Sequence, residues 1–187
     1  MSLFEFIVGM ISVILALALA QLFAGFGELI QNRERVKFYL PHSVWVANIF
    51  LLMFLHWWSL WAFKDLSWNF AMFFFSLLTP SLFFLSATII SPRGHRAETI
   101  DLEDHFNKIR KLFFSIMIAT VAFASMDGPL FGTEPPINGI RIAQLTTLAA
   151  YTWGIFTRNN KAQSLIGLLA LGSATAVVFL RFLPGQS

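Results

Sequence analysis

His56 is the residue whose type and position ask most for a chemical explanation. It opens the run His56-Trp57-Trp58-Ser59-Leu60-Trp61 inside a long apolar stretch. An ionisable side chain at membrane depth is a functional candidate by default, because burying it without a partner is costly. Its simplest use is a hydrogen bond to a neighbouring helix or to water. A second is axial ligation of a chlorophyll-type pigment, which needs only one imidazole. A b-type haem needs two histidines on facing helices. His42 lies at the other end of the same stretch, and His95 and His105 lie in a connection. A haem would therefore require pairing across a symmetric oligomer.

Other polar residues fall near His56 in depth. Ser59 follows it by three positions, Gln144 and Thr147 belong to the fifth apolar run, and Ser173 and Thr175 to the sixth. Thr79-Pro80-Ser81 interrupts the third. Proline there removes a backbone donor and frees a carbonyl, which a neighbouring hydroxyl can satisfy. Together His56, Ser59, Thr79, Ser81, Gln144, Thr147, Ser173 and Thr175 form a candidate pocket open to the outer side. The same hydroxyls also serve as small packing groups between helices.

The missing chemistry narrows the function further. The chain has no cysteine, so thiol nucleophiles, disulfides and thiolate metal sites are excluded. No GxGxxG, P-loop, G-x-S-x-G or H-E-x-x-H run occurs, and nothing points to nucleotide binding, hydrolysis or nucleic acid. His95, Glu98, Asp101, Glu103, Asp104 and His105 cluster in one connection, but their spacing matches no metal site and suits a solvated helix face. Glu5, Arg141 and Arg181 fall near the outer surface, Glu28 near the inner one, and Asp127 in an outer connection. With no acid expected at mid-depth, a proton-coupled transporter is disfavoured. A channel or neutral-solute facilitator remains open, since hydroxyls and carbonyls can line a pore.

These residues must be held by membrane-spanning helices. Of 187 residues, 57% are hydrophobic and 12% charged, against about 25% charged in an average soluble domain. Six apolar runs are expected as spans, at about 4–29, 43–63, 70–90, 109–126, 139–156 and 162–183. They account for the whole length as one membrane domain, an all-α polytopic transmembrane helical bundle. The first run has neither a basic flank before it nor a small-residue cleavage site after it, so it reads as a retained span and not a signal peptide. Thr99 is the expected N-cap of an amphipathic segment, 99–109, leading into span four. Along that segment Asp101/His105 and Asp104/Lys108 can pair at four-residue spacing.

Most of the 13 basic residues follow spans one, three and five. They are Arg33, Arg35 and Lys37, then Arg93, Arg96, Lys108, Arg110 and Lys111, then Arg158 and Lys161. Lys64, Arg141 and Arg181 lie on the other side. The bias toward positive charge inside puts both termini outside. Trp57, Trp58, Trp61 and Trp68 at one level, with Trp45 and Trp153 at the other, suit two interfacial belts.

In the first span, Ser12, Ala16, Ala20 and Ala24 recur every fourth position. They make a narrow helix-packing ridge where another backbone can approach closely, which suits this helix to a central place in a bundle.

Several stretches resemble a family of small bacterial polytopic membrane proteins. They are Phe4-Glu5-Phe6, Ser12-Val13-Ile14-Leu15, Leu19-Ala20-Gln21-Leu22, Gly25-Phe26-Gly27, Arg33-Glu34-Arg35-Val36, Pro41-His42, Trp45, His56 to Trp61, Ile100-Asp101-Leu102 and Phe106. The resemblance covers roughly the first two thirds of the chain. It implies a multi-pass bacterial inner (cytoplasmic) membrane protein and carries neither an activity nor a functional residue.

The sequence therefore favours a non-enzymatic membrane protein. The leading expectation is an accessory or self-associating packing subunit, with lipid and other membrane helices as partners in a homo-oligomer or a larger membrane complex. A channel or facilitator for a small solute is the alternative. A haem- or pigment-bearing subunit through His56 comes third, with no cofactor or metal otherwise expected.

Overall fold

In a computed structural model, which describes residues 2–92, 99–131 and 139–182, the chain is a helical bundle. Helix α1 (Leu3–Gln31) leads through a 3-10 turn, Arg33–Arg35, and a two-residue strand β1 (Val36–Lys37) into α2 (Leu40–Ser59). The tighter turn Leu60–Phe63 extends α2. Then come α3 (Phe70–Ser76), α4 (Leu78–Ile90), strand β2 (Ile100–Asp101), α5 (Leu102–Phe131), α6 (Gly139–Phe156) and α7 (Asn160–Phe182). Four stretches are long and apolar enough to cross a membrane: Leu3–Gln31, Leu40–Phe63, Phe70–Ile90 and Leu102–Phe131.

Local chemistry explains the element ends. Ser2 and Glu5 form a reciprocal capping box at the start of α1, with Ser2 N–H donating to Glu5 Oε2 at 2.7 Å and Glu5 N–H to Ser2 Oγ at 3.1 Å. Pro41 sits in the first turn of α2, where its missing N–H is harmless. Asn69 caps α3 by accepting from Met72 N–H. The third apolar run breaks at Leu77, as the Thr79-Pro80-Ser81 interruption predicts, and the Ser81 hydroxyl donates to the Leu77 carbonyl at 2.7 Å.

The amphipathic segment and fourth span prove to be one continuous helix, α5, that runs five residues past its expected end at Met126. Its cap is Asp101 and not Thr99. The Asp101 carboxylate accepts from the backbone N–H groups of Glu103 and Asp104 at 3.1 and 3.0 Å, two contacts that a threonine two residues earlier does not make. Asp104 pairs with Lys108 at 2.6 Å as the spacing predicts. Asp101 pairs with Lys37 at 3.1 Å instead of His105, whose Nε2 lies 3.2 Å from the Ile90 carbonyl.

Helix α2 is the element around which the rest assembles. It packs against α7 and α4 and touches α1 and α5, while α4, α5, α6 and α7 each pack on the next. Helix α1 lies at the edge, chiefly on α4. This corrects the central place expected of it. The face it buries carries Ile7, Ile11, Leu15, Ala18, Leu22 and Gly25. Ala16, Ala20 and Ala24 are exposed, and Ser12 is half-buried with its Oγ accepting from Trp57 Nε1–H at 2.9 Å. Large side chains fill the space beside α4 better than the small ridge would, and close approach is needed only at Gly25. A Cβ there would lie 2.9 Å from Ser91 Oγ.

The loops after α1, α4 and α6 gather at one end. Strand β1 pairs in parallel with β2, Val36 opposite Ile100 and Lys37 opposite Asp101. Tyr39 Oη donates to Asn160 Oδ1 at 3.0 Å, Asn160 Nδ2 donates to Glu103 Oε1 at 2.9 Å, and Arg110 Nη1 donates to the Thr157 carbonyl. Burial and the nearby Glu103 carboxylate push the Tyr39 phenol above its ordinary pKa, so it remains a donor throughout the physiological range. The segments the charge pattern groups on one side are thus physically tied together.

Candidate functional site

The bundle has two unlike interiors, stacked along α2. Nearer the basic end, Trp45 is fully buried against Phe114 (ring centroids 4.8 Å apart), Tyr151 (5.4 Å) and Phe113 (6.4 Å). The edge-on pairs with Phe113 and Phe114 add about 0.5–1.5 kcal/mol each beyond area burial. Most polar groups here are tied off, Asn48 Nδ2 being the exception among the described residues. Trp45 Nε1–H donates to Gln163 Oε1 at 3.2 Å, Gln163 Nε2 donates to the carbonyls of Gly154 and Thr157 at 2.9 and 2.8 Å, and Tyr151 Oη donates to Asn48 Oδ1. Two glycines make room for this cluster. A Cβ on Gly154 would fall 2.5 Å from Phe114 Cζ, and one on Gly167 would fall 2.7 Å from Val44 Cγ1.

His56 lies sixteen residues along α2 from Leu40, about 24 Å at the helical rise, and so in the half away from the basic loops. There the packing opens into a cavity of about 120 Å³. His56, Ser59, Leu52 and Leu55 of α2 line it together with Phe83 of α4, Thr120, Val121, Ala124 and Asp127 of α5, Gln144 and Thr147 of α6, and Ala174 of α7. His56 is 7% exposed, and its Nε2 has no hydrogen-bond partner among the described residues. Its ring lies 5.9 Å from that of Phe83.

Four of the eight residues singled out from sequence therefore meet: His56, Ser59, Gln144 and Thr147. Ser173 stands just behind, its Oγ 2.8 Å from that of Thr147. The other three do not line the cavity. Thr79 is buried elsewhere on α4, Ser81 is exposed, and Thr175 donates to the Leu171 carbonyl of its own helix at 2.8 Å. Thr79, although buried, has no partner for Oγ1 among the described residues.

Asp127 was missed by placing it in an outer connection. It belongs to α5, is 6% exposed and lines the cavity, so its expected place in a connection is corrected. The reason is local: Asp127-Gly128-Pro129 reads as a turn, yet α5 carries on through it to Phe131. Near this rim Arg141 Nη1 donates to the Ser125 carbonyl and, at 2.9 Å, to Gln144 Oε1. Thr120 was also missed, since a single threonine within an apolar run gives no signal of which face it occupies.

The remaining histidines and acids have other employment. His42 is buried, and its Nε2 lies 2.9 Å from the Ile90 carbonyl, the one His105 also reaches. Their rings are 6.1 Å apart at the C-terminus of α4, where carbonyls lack intrahelical donors. Asp101, Asp104 and Glu103 bond to Lys37, Lys108 and Asn160, and no group of three or more possible metal ligands occurs among the described residues. His95 and Glu98 lie outside the described residues, as do Arg93, Arg96 and the Pro135-Pro136 connection.

No family model matches the chain, and searches of curated proteins and of solved structures find no match either.

Proposed function

We propose that this is a non-enzymatic, multi-pass membrane protein that binds, and lets across, a small solute through the cavity at His56. In this reading α6 and α7 also cross, making six spans. The basic loop end faces the cytoplasm, both termini face outward, and the membrane is a bacterial inner membrane. The observation that carries the proposal is convergence: polar side chains from α2, α5 and α6 meet around one cavity inside the bundle. Buried polar atoms are normally hydrogen-bonded, and an imidazole nitrogen without a protein partner is accounted for by a guest in the cavity. Reconstituted liposomes test this. Solute flux that falls on His56→Ala is expected, whereas tight liposomes, or flux indifferent to the substitution, would overturn it. Reporter fusions at Arg33 and Lys108 are expected on one face of the membrane.

A second reading, a self-associating or accessory packing subunit, is favoured by the outward-facing Ala16, Ala20 and Ala24 of α1. Native mass spectrometry after mild extraction tests it, and a strictly monomeric species with no co-purifying protein would count against it. A haem or chlorophyll-type pigment on His56 has no comparable support, because the space beside the imidazole, about 120 Å³, is small for a macrocycle. An absorbance spectrum without bands in the visible is the expected result.

A further inference from the structure

We infer that the guest of the His56 cavity is a short primary amine, bound as its ammonium ion; this rests on the cavity being a solute site. The inference comes from the direction in which the lining groups donate. Ser59 Oγ donates to the His56 carbonyl at 2.7 Å, and Thr120 Oγ1 donates to the Ile116 carbonyl at 2.8 Å. Thr147 Oγ1 lies 2.9 Å from the Ala143 carbonyl and 2.8 Å from Ser173 Oγ, so its one proton is also placed within the protein. A hydroxyl has a single proton and two lone pairs. With the protons committed, these three side chains offer the cavity only acceptors.

The rest of the lining strengthens the bias. Asp127 brings a carboxylate, which when ionised only accepts. His56 Nε2 accepts whenever the proton is on Nδ1. Gln144 is the exception, because its amide oxygen already accepts from Arg141 and leaves its NH₂ as a donor. Arg141 itself does not line the cavity. A guest here must donate several hydrogen bonds, and an ammonium group donates three. Its charge complements Asp127, and a short alkyl stub finds Leu52, Leu55, Phe83 and Val121.

Calorimetric titration of the purified full-length protein in detergent separates the possibilities, with ethylammonium chloride and acetonitrile as probes of similar size. Ethylammonium is expected to bind and acetonitrile, which only accepts, is not. Thr120→Val keeps the side-chain shape and removes one acceptor, so it should weaken ethylammonium binding about tenfold. Asp127→Asn should abolish it. If acetonitrile binds as well as ethylammonium, the amine assignment fails while the cavity remains a solute site. If ethylammonium binds both variants as it binds the natural chain, the amine sits elsewhere and the assignment again fails. If neither probe binds, both the assignment and the solute-site reading fall.

Discussion

The two interiors along α2 are built from similar helices and differ in what they leave undone. Around Trp45 the rings of Phe113, Phe114 and Tyr151 touch, Gln163 bonds three partners, and two glycines remove even a methyl group from the contact. Around His56, about three turns away on the same helix, the walls stand apart and an imidazole nitrogen lacks a protein partner. Close packing makes one arrangement of helices much better than its neighbours, whereas a cavity forfeits dispersion contacts along its walls. The lower half therefore holds α2, α5, α6 and α7 in register, and the upper half uses that rigidity to keep a space open.

If that division is right, substitutions of like size must behave differently in the two halves. The largest effect is expected from Trp45→Ala, which empties the centre of the aromatic cluster and strands Gln163 Oε1. A loss of about 3–5 kcal/mol in unfolding free energy, measured by denaturant titration in detergent, is expected. Next, Gly154→Ala adds one methyl group against Phe114 at an impossible distance and should cost about 1–3 kcal/mol. Ala124→Val, which adds bulk where Ala124 borders the cavity, should cost less than about 1 kcal/mol while reducing solute flux. Equal penalties for Gly154→Ala and Ala124→Val would erase the distinction between the halves.

His56→Phe sharpens the comparison from the other side. It removes a buried nitrogen that lacks a protein partner and keeps a planar ring beside Phe83. Stability should be unchanged or rise by up to about 1 kcal/mol, with flux lost. A stability loss as large as that of Trp45→Ala would mean that His56 is part of the structural core.

Much of this was legible in the chain. Apolar runs of helical length placed the helices to within a few residues, α5 excepted, because length and hydrophobicity are local properties. The break at Leu77 followed from Pro80, and the grouping of the loops after α1 and α4 followed from their basic residues. Which face each helix buries was far less legible. The small ridge of α1 signals close approach, but the partner face was chosen by Ile7, Ile11, Leu15 and Leu22, whose fit depends on α4. Asp127 was hidden by turn-forming neighbours, Asn48 by standing in an apolar run without any periodic signal, and Gln163 by its polar neighbours Asn159, Asn160, Lys161 and Ser164. Half of the candidate pocket was recovered because depth can be counted from a helix end. The other half was not, because azimuth around a helix is set by its neighbours.

The smallest effect is expected outside both interiors, at the strand pair that ties the basic loops. The Asp104 and Glu103 backbone N–H groups and the Lys37 ammonium hold the Asp101 carboxyl below the usual carboxylate range, with the bond from Asp104 N–H the largest cause. A group whose folded pKa is depressed favours the fold when ionised. Its contribution is full above the unfolded value of about 3.9 and disappears as pH falls through the lower folded value. Because Asp101 is partly exposed, the change should be slight: amide exchange at Glu103 and Asp104 should quicken in Asp101→Asn relative to the natural chain at neutral pH. The two should converge as pH falls through the lowered folded value, with the Trp45 cluster and the cavity unaffected at either pH. If Asp101→Asn instead altered flux at neutral pH, the basic end would be coupled to the cavity. The tightly packed half between them could then no longer be treated as a rigid base.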